Sequence, residues 1–376
     1  MSYDLYVELG GDSQHDVESL VAGRHRGLRV WDISARIRLL AGTAALNSTI
    51  RDYVTSGDRR QGGGYKSLVH SKNNATAAPY TKELITPERQ RLERLGLLDP
   101  SPHLIEVLPA GSWFLQFTFT LAKPWMSKDD DPFYVTESVN PVRKEKVFKV
   151  PMMSAASWKG LLRWTALRVR LVEMADQLND EAFAQERFRQ TLLFGDEKGE
   201  EPGQIRDFAA YVDSLKQSAK EVYRQKVKEY FLGDANAKDI PHHSGRLSFY
   251  PTFFDLIDVE VINPHSRKTK AGTHPIYLEC VPASAKGTFS LLYVPFDLIG
   301  KPANKMKTQA KEDLELITLA VREMMLTYGF SAKRTSGYGT ARDEIEKGVV
   351  RTRANQQGWK LNRLSKLSNE VKDVRF

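Results

Sequence analysis

The chain has 376 residues, 41% of them hydrophobic, enough for one large elaborated domain or two ordinary ones around a buried core. No stretch approaches about 18 uninterrupted apolar residues and residues 1–4 carry no basic-then-apolar leader, so neither membrane insertion nor secretion is supported and the expected address is cytoplasmic; a single cysteine, Cys280, excludes an internal disulfide framework and a Cys-based zinc site. A net charge of +8 points to an anionic partner, but 55 Lys and Arg stand against 47 Asp and Glu, so where the excess sits matters more than its size.

Residues 1–110 read as an N-terminal extension, partly helical, with a basic mobile loop. Within it 33–53 has helical content (Ile37, Leu39, Leu40, Ala44, Leu46, Ile50), and 56–78 is rich in Gly, Arg, Asn and Ser, with Arg59, Arg60, Lys66, His70 and Lys72 making it basic. Gly23-Arg24-His25-Arg26-Gly27 is a second basic cluster, in which packing accounts for His25 while contact with an anionic partner stays open to its arginines. From Ser112 the pattern changes to period two: Trp113, Leu115, Phe117, Phe119 and Leu121 alternate with Phe114, Gln116, Thr118 and Thr120, which predicts a strand. Asp129, Asp130 and Asp131 follow it, readable as a solvated turn or as a carboxylate cluster.

Ser154 and Ser157 are candidate caps for a helix continuing through 161–174. Lys159 and Arg163, four apart, share one face near its positive end, where cations and backbone N–H groups converge on phosphate. A charged helical insertion is expected over about 180–240, with Leu193-Phe194-Gly195 in it. Strand character returns at 246–250, 256–262, 276–281 and 289–294, with Cys280 a small buried hydrophobe. Helical spacing of Leu314, Ile317, Val321 and Met324 or Met325 then predicts a helix over 308–328.

Next comes Gly329-Phe330-Ser331-Ala332-Lys333-Arg334-Thr335-Ser336-Gly337-Tyr338-Gly339. Gly329 can stop the helix; Gly337 and Gly339 let backbone approach a bulky partner, Lys333 and Arg334 supply cationic donors, and Tyr338 offers a face for a base. The segment matches neither a dinucleotide fingerprint nor a Walker loop, so nucleotide hydrolysis is not indicated. The last part, 344–376, is expected as a basic tail: over 348–376 seven Lys and Arg face only Glu370 and Asp373. Strand, helix, several strands, helix and glycine-rich loop make an α+β order.

Taken together, the strand ending at Lys123-Pro124, Ser157-Trp158-Lys159-Gly160-Leu161-Leu162-Arg163, Leu193-Phe194-Gly195 and Ala332-Lys333-Arg334-Thr335-Ser336-Gly337-Tyr338-Gly339 resemble the RAMP superfamily of CRISPR-associated proteins. Asp258-Val259-Glu260-Val261-Ile262-Asn263-Pro264-His265, with His274-Pro275-Ile276 and Gly287-Thr288-Phe289, is similar to the sixth Cmr subunit of type III-B complexes, with Glu260-Val261 as an insertion into that pattern. The resemblance implies a ferredoxin-like, RRM-related domain over 111–343. It further implies an RNA-binding subunit of a type III effector ribonucleoprotein in antiviral defence, with crRNA, target RNA and other effector subunits as partners and no cofactor required. Lys159, Arg163, Lys333, Arg334, Gly337, Tyr338 and Gly339 are then the RNA-binding candidates. The alternative is an endoribonuclease of the same fold using Asp129, Asp130 or Asp131, which stand where related backbone subunits carry a catalytic Asp and which would engage a divalent metal such as Mg. No resident metal site is expected; His242, His243 and His265 invite one, and for His265 an Asn-Pro turn is the structural explanation.

Overall fold

The computed structural model describes residues 11–57, 63–101, 105–128, 139–197, 208–237, 242–264, 272 and 276–376. Strands of three or more residues are β1 (Trp113–Leu121), β2 (Leu247–Phe249), β3 (Asp258–Ile262), β4 (Ile276–Cys280), β5 (Lys286–Tyr293), β6 (Ala341–Thr352) and β7 (Asn355–Arg363). Helices of eight or more residues are α1 (Gln14–Val21), α2 (Ile33–Leu46), α3 (Thr86–Arg94), α4 (Ala155–Leu167), α5 (Asp180–Phe194), α6 (Phe208–Leu215), α7 (Lys220–Leu232) and α8 (Ala303–Glu323).

β1 forms where the alternation predicts it: Trp113, Leu115, Phe117, Phe119 and Leu121 are wholly buried, while Gln116, Thr118 and Thr120 on the other face are half-buried. It lies at the centre of a sheet ordered β7-β6-β1-β5-β2, every neighbouring pair antiparallel. Phe117 faces Phe289 of β5, and Phe119 faces Ile345 of β6. In sequence the unit runs β1, α4, β2, β5, α8, β6. The two helices pack on each other and on the sheet through Trp158, Leu162 and Ala166 of α4 and Leu314, Ile317 and Val321 of α8. β3 and β4 pair antiparallel in a smaller sheet, with the short strand Val139–Asn140 parallel to β4. Cys280 at the end of β4 is a buried free thiol, its pKa pushed up by burial and by neighbouring carboxylates.

Local signals set the helix ends. The Ser154 hydroxyl accepts from the Ser157 N–H (3.2 Å) at the start of α4, and Asn179 accepts from Ala182 (2.8 Å) at the start of α5. α8 runs on into a π-helical turn, Met324–Tyr328, before Gly329 stops it at positive φ. The insertion α5–α7 has its own small core around Phe183, Phe188, Tyr223 and Val227.

Two expectations change. Residues 63–78, anticipated as mobile loop, are folded: Tyr65, Leu68 and Val69 are buried, because three apolar side chains among Gly, Lys, Asn and Ser suffice to anchor the short helix Lys66–Val69. The Tyr65 hydroxyl and Lys144 Nζ both donate to the buried Glu279 carboxylate, which also accepts from the Val142 N–H (3.0 Å). His70 pairs with Asp258 of β3 at 2.6 Å. Residues 344–376, anticipated as a basic tail, finish β6 and form β7 and the short helix Leu367–Glu370, because Leu361, Leu364, Leu367, Val371 and Val374 are buried at intervals between the charges.

One charge sits in the middle of the core. Asp313 of α8, with no exposed surface, accepts from Arg246 Nη1 (3.0 Å), Arg189 Nε (2.9 Å), Gln309 Nε2 (3.0 Å) and the Tyr293 hydroxyl (2.8 Å). Arg246 reaches on to Asp297 (2.6 Å). Removing one partner of a buried ion pair strands the other, so Asp313→Ala should cost about 3–5 kcal/mol in urea unfolding, and pairing it with Arg246→Met should recover part of the loss. Burial alone would raise the Asp297 carboxyl, but hydrogen bonds and charge from Arg246 prevail and hold it below the usual carboxylate range. Its contribution should therefore be complete above about pH 4 and fade as pH falls below that, so that Asp297→Asn flattens the acid limb of a stability-against-pH curve.

Candidate nucleic-acid interface

Beyond β1 the chain runs alongside the glycine-rich loop, and the two are laced together. Ala332 N–H donates to the Met126 carbonyl (2.8 Å), Gly339 N–H to the Pro124 carbonyl (2.8 Å), Met126 N–H to the Ser331 hydroxyl (2.8 Å) and the Trp125 indole to the Phe330 carbonyl (3.0 Å). This brings the loop against the first turns of α4. Between them lies a cavity of about 440 Å³, lined among others by Met126, Ser157, Gly160, Trp164, Ala332 and Arg334. Gly160 is exposed in mid-helix with open space where a Cβ would stand, so bare backbone faces solvent at that point. The Arg334 guanidinium lies 4.5 Å from the centre of the half-exposed Trp164 ring, Tyr328 packs edge-on against the same ring (5.1 Å), and Lys333 is exposed beside it. A bare helix turn, an arginine–indole pair and a free-standing lysine can receive a phosphate, a close backbone and a stacked base.

The predicted cations do not all share this floor. Lys159 and Arg163 stand on the adjoining face of α4, toward the C-terminal end of α5. Arg163 donates to the carbonyls of Asp196 (2.8 Å) and Gly195 (3.2 Å) and lies 4.5 Å from the Phe208 ring, which makes it a cap on α5. Half-buried Lys159 has its pKa lowered by desolvation and by the charge of Arg163, against the pull of Asp196. Tyr338 is half-buried and its hydroxyl donates to Glu260 of β3 (3.3 Å); burial and that carboxylate raise its pKa. The two late glycines differ. Gly337 (φ +80°) has nothing within 4 Å of a built Cβ, whereas at Gly339 (φ +70°) a Cβ would fall 2.3 Å from Ser331 Cβ and 2.7 Å from its backbone nitrogen. Gly339 therefore lets the loop close on itself, and Gly337 alone keeps an open approach.

His242 and His243 converge on one carboxylate: Asp196 meets the two Nδ1 atoms at 2.8 and 2.7 Å and accepts from the His243 N–H (2.9 Å), while His243 Nε2 lies 3.0 Å from the Thr191 carbonyl. Among the described residues no group of three or more His, Cys, Asp and Glu could hold a metal ion, and no helix is long and apolar enough to cross a membrane. Asp129, Asp130, Asp131 and His265 lie outside the described residues. Sequence reasoning missed Gly160 and Trp164 as site residues. The available signal was a glycine in the middle of an otherwise strong helix, a position that weakens the helix by about 1 kcal/mol unless something uses it.

A sheet with two helices on it, and a basic loop drawn over the first turns of one of them, defines a mixed helix-and-sheet protein with a largely apolar cavity at the helix–loop seam. The chain belongs to the RAMP superfamily, whose family model matches residues 131–342. No curated protein matches it. Similar solved structures include a chain of the type III-B Cmr-beta complex bound to cognate target RNA (13% identity, 84% of this chain and 92% of that one, TM-score 0.37). Others are the sixth Cmr subunit from Pyrococcus furiosus (13%, 61% and 97%, TM-score 0.29) and a chain of a CRISPR RNA-guided surveillance complex (12%, 62% and 77%, TM-score 0.33). At TM-scores this low the likenesses specify neither partner nor activity.

The glycines separate packing from access. Gly160→Ala should raise stability by about 1 kcal/mol while weakening any ligand held at the seam. Gly337→Ala should cost roughly 1–2 kcal/mol for its left-handed backbone, and Gly339→Ala distinctly more, since backbone stands in the way. Thermal melting of the three variants ranks them.

Proposed function

We propose that this chain is an RNA-binding subunit of a type III CRISPR-Cas effector ribonucleoprotein, contacting crRNA and target RNA beside other effector subunits in the cytoplasm, as part of antiviral defence. Membership of the RAMP superfamily supports it. So does the strand order: numbering the four strands of the β1-α4-β2-β5-α8-β6 unit one to four gives the sheet order 4-1-3-2, the order that a ferredoxin-like reading expects, with β7 added outside. The observation that carries the reading is the seam itself, where Arg334 lines the same cavity as the open turn at Gly160 and the exposed Lys333 precedes it in the loop. Charge, close backbone approach and stacking tolerate any sequence, as a guide-bearing assembly requires. The reading needs no cofactor.

Binding of fluorescent single-stranded RNA by the full chain, followed by anisotropy across a salt series, tests it. Lys333→Ala with Arg334→Ala should weaken binding to all sequences alike and shallow the slope of log K against log salt by about 0.7 for each phosphate no longer neutralised. Wild-type affinity and slope in the double variant would refute it.

A further inference from the structure

Between α1 and α2 the chain makes a two-strand hairpin, Arg24–His25 against Leu28–Arg29, closed by Arg26 and Gly27, both at positive φ (47° and 78°). Such a tight turn selects Gly, Asn or Asp; an arginine there is an unusual residue and puts a charge at the tip. The register sets Arg24 directly opposite Arg29. Directly opposed residues project to the same face, so two exposed arginines of like charge share one face of the hairpin, a pairing that weakens a ladder. Among the described residues neither arginine has an acidic partner. Two residues beyond Arg29, Trp31 is 67% exposed, and the Arg29 guanidinium lies 4.0 Å from the centre of its ring.

The opposite side is held firmly. His25 is buried, and the buried Arg36 beneath the hairpin donates from Nε to the Val30 carbonyl (2.6 Å) and pairs through Nη2 with Glu83 (2.8 Å). Rigid support under a face of unneutralised cations is a local conflict that packing does not resolve. It is resolved when an anion lies between the two guanidinium groups.

We propose that this hairpin is a second contact surface for single-stranded RNA, with a phosphate bridging Arg24 and Arg29 and a base stacked at Trp31; the inference rests on the RNA-binding reading above. Nucleic acid fits better than an acidic protein because one strand supplies both the anion and the flat face that stacks.

The test uses the full chain and oligouridine in a salt series, with Arg24→Ala/Arg29→Ala, Trp31→Ala, Trp31→Phe and Lys333→Ala/Arg334→Ala. The exposed substitutions should not lower the melting temperature. The arginine pair should reduce the salt slope by about 0.7, for the one phosphate the two share. Trp31→Ala should lose on the order of tenfold in affinity, and Trp31→Phe should restore most of it. If the hairpin variants bind as wild type while the loop variant is weakened, the hairpin proposal falls and the loop reading stands. If only the hairpin variants are weakened, the loop reading falls instead. A wild-type chain that binds no oligouridine overturns both, and hairpin variants that lose an acidic peptide but keep RNA overturn the hairpin proposal.

Discussion

Trp158 has a single polar atom to satisfy in an otherwise apolar setting, and the way it is satisfied locks the molecule's central pieces together. Its indole N–H donates to the Thr252 hydroxyl (3.0 Å), which in turn donates to the Thr288 carbonyl on β5 (2.6 Å). Left unpaired at that depth, the N–H would cost about 1–3 kcal/mol. The ring also meets Phe289 edge-on at 5.0 Å, Phe119 edge-on at 6.1 Å and Phe330 at 5.0 Å. One side chain thus fixes α4 against β1, β5 and the start of the glycine-rich loop. Gly160 and Trp164 belong to the same helix, two and six residues on, so the spacing between the bare turn and Arg334 is inherited from the packing of the core.

Two buried carboxylates do a comparable job at longer range. Asp313 gathers Arg189 from the helical insertion with Arg246 and Tyr293 from around the main sheet; Glu279 gathers Tyr65 from the N-terminal region with Lys144 and Val142. Buried ion pairs seldom exceed a well-packed hydrophobic substitute in net stability, but they penalise any arrangement that leaves one charge alone. Asp313 stands where the helical insertion meets the main sheet, and Glu279, on β4, where the N-terminal region meets the smaller one. Their value is positional: each admits one docking of its segment and excludes the rest.

The parts of this fold written in simple periodicity are legible in the chain itself. β1 alternates cleanly because one face is apolar and the other carries Gln116, Thr118 and Thr120. α8 keeps helical spacing because it lays one stripe on the sheet. What escaped was burial by few residues in polar company. Tyr65, Leu68 and Val69 anchor a segment whose composition otherwise reads as loop, and the leucines and valines of 361–374 are spaced among enough charges to pass for a tail. The site was half readable. Lys333 and Arg334 were marked by residue type; Arg163 looked equivalent to them but caps α5, a distinction set by the position of the Gly195 and Asp196 carbonyls, far away in sequence. Gly339 and Gly337 look alike as letters and differ only in what stands over them.

The sheet order also has a consequence for how the chain comes together. β1 is the central strand, yet one of its two neighbours, β6, arrives some 220 residues later, with Leu121 meeting Ala341. Contacts of that separation form late and slowly, because a long loop must be closed before they return anything. Throughout synthesis an unusually aromatic strand stands with an unpaired edge while the insertion, which has its own small core, can already be compact. Vectorial synthesis therefore leaves the most aggregation-prone segment waiting longest, and production of the intact protein is governed by how well that interval is protected as much as by the stability of the finished fold.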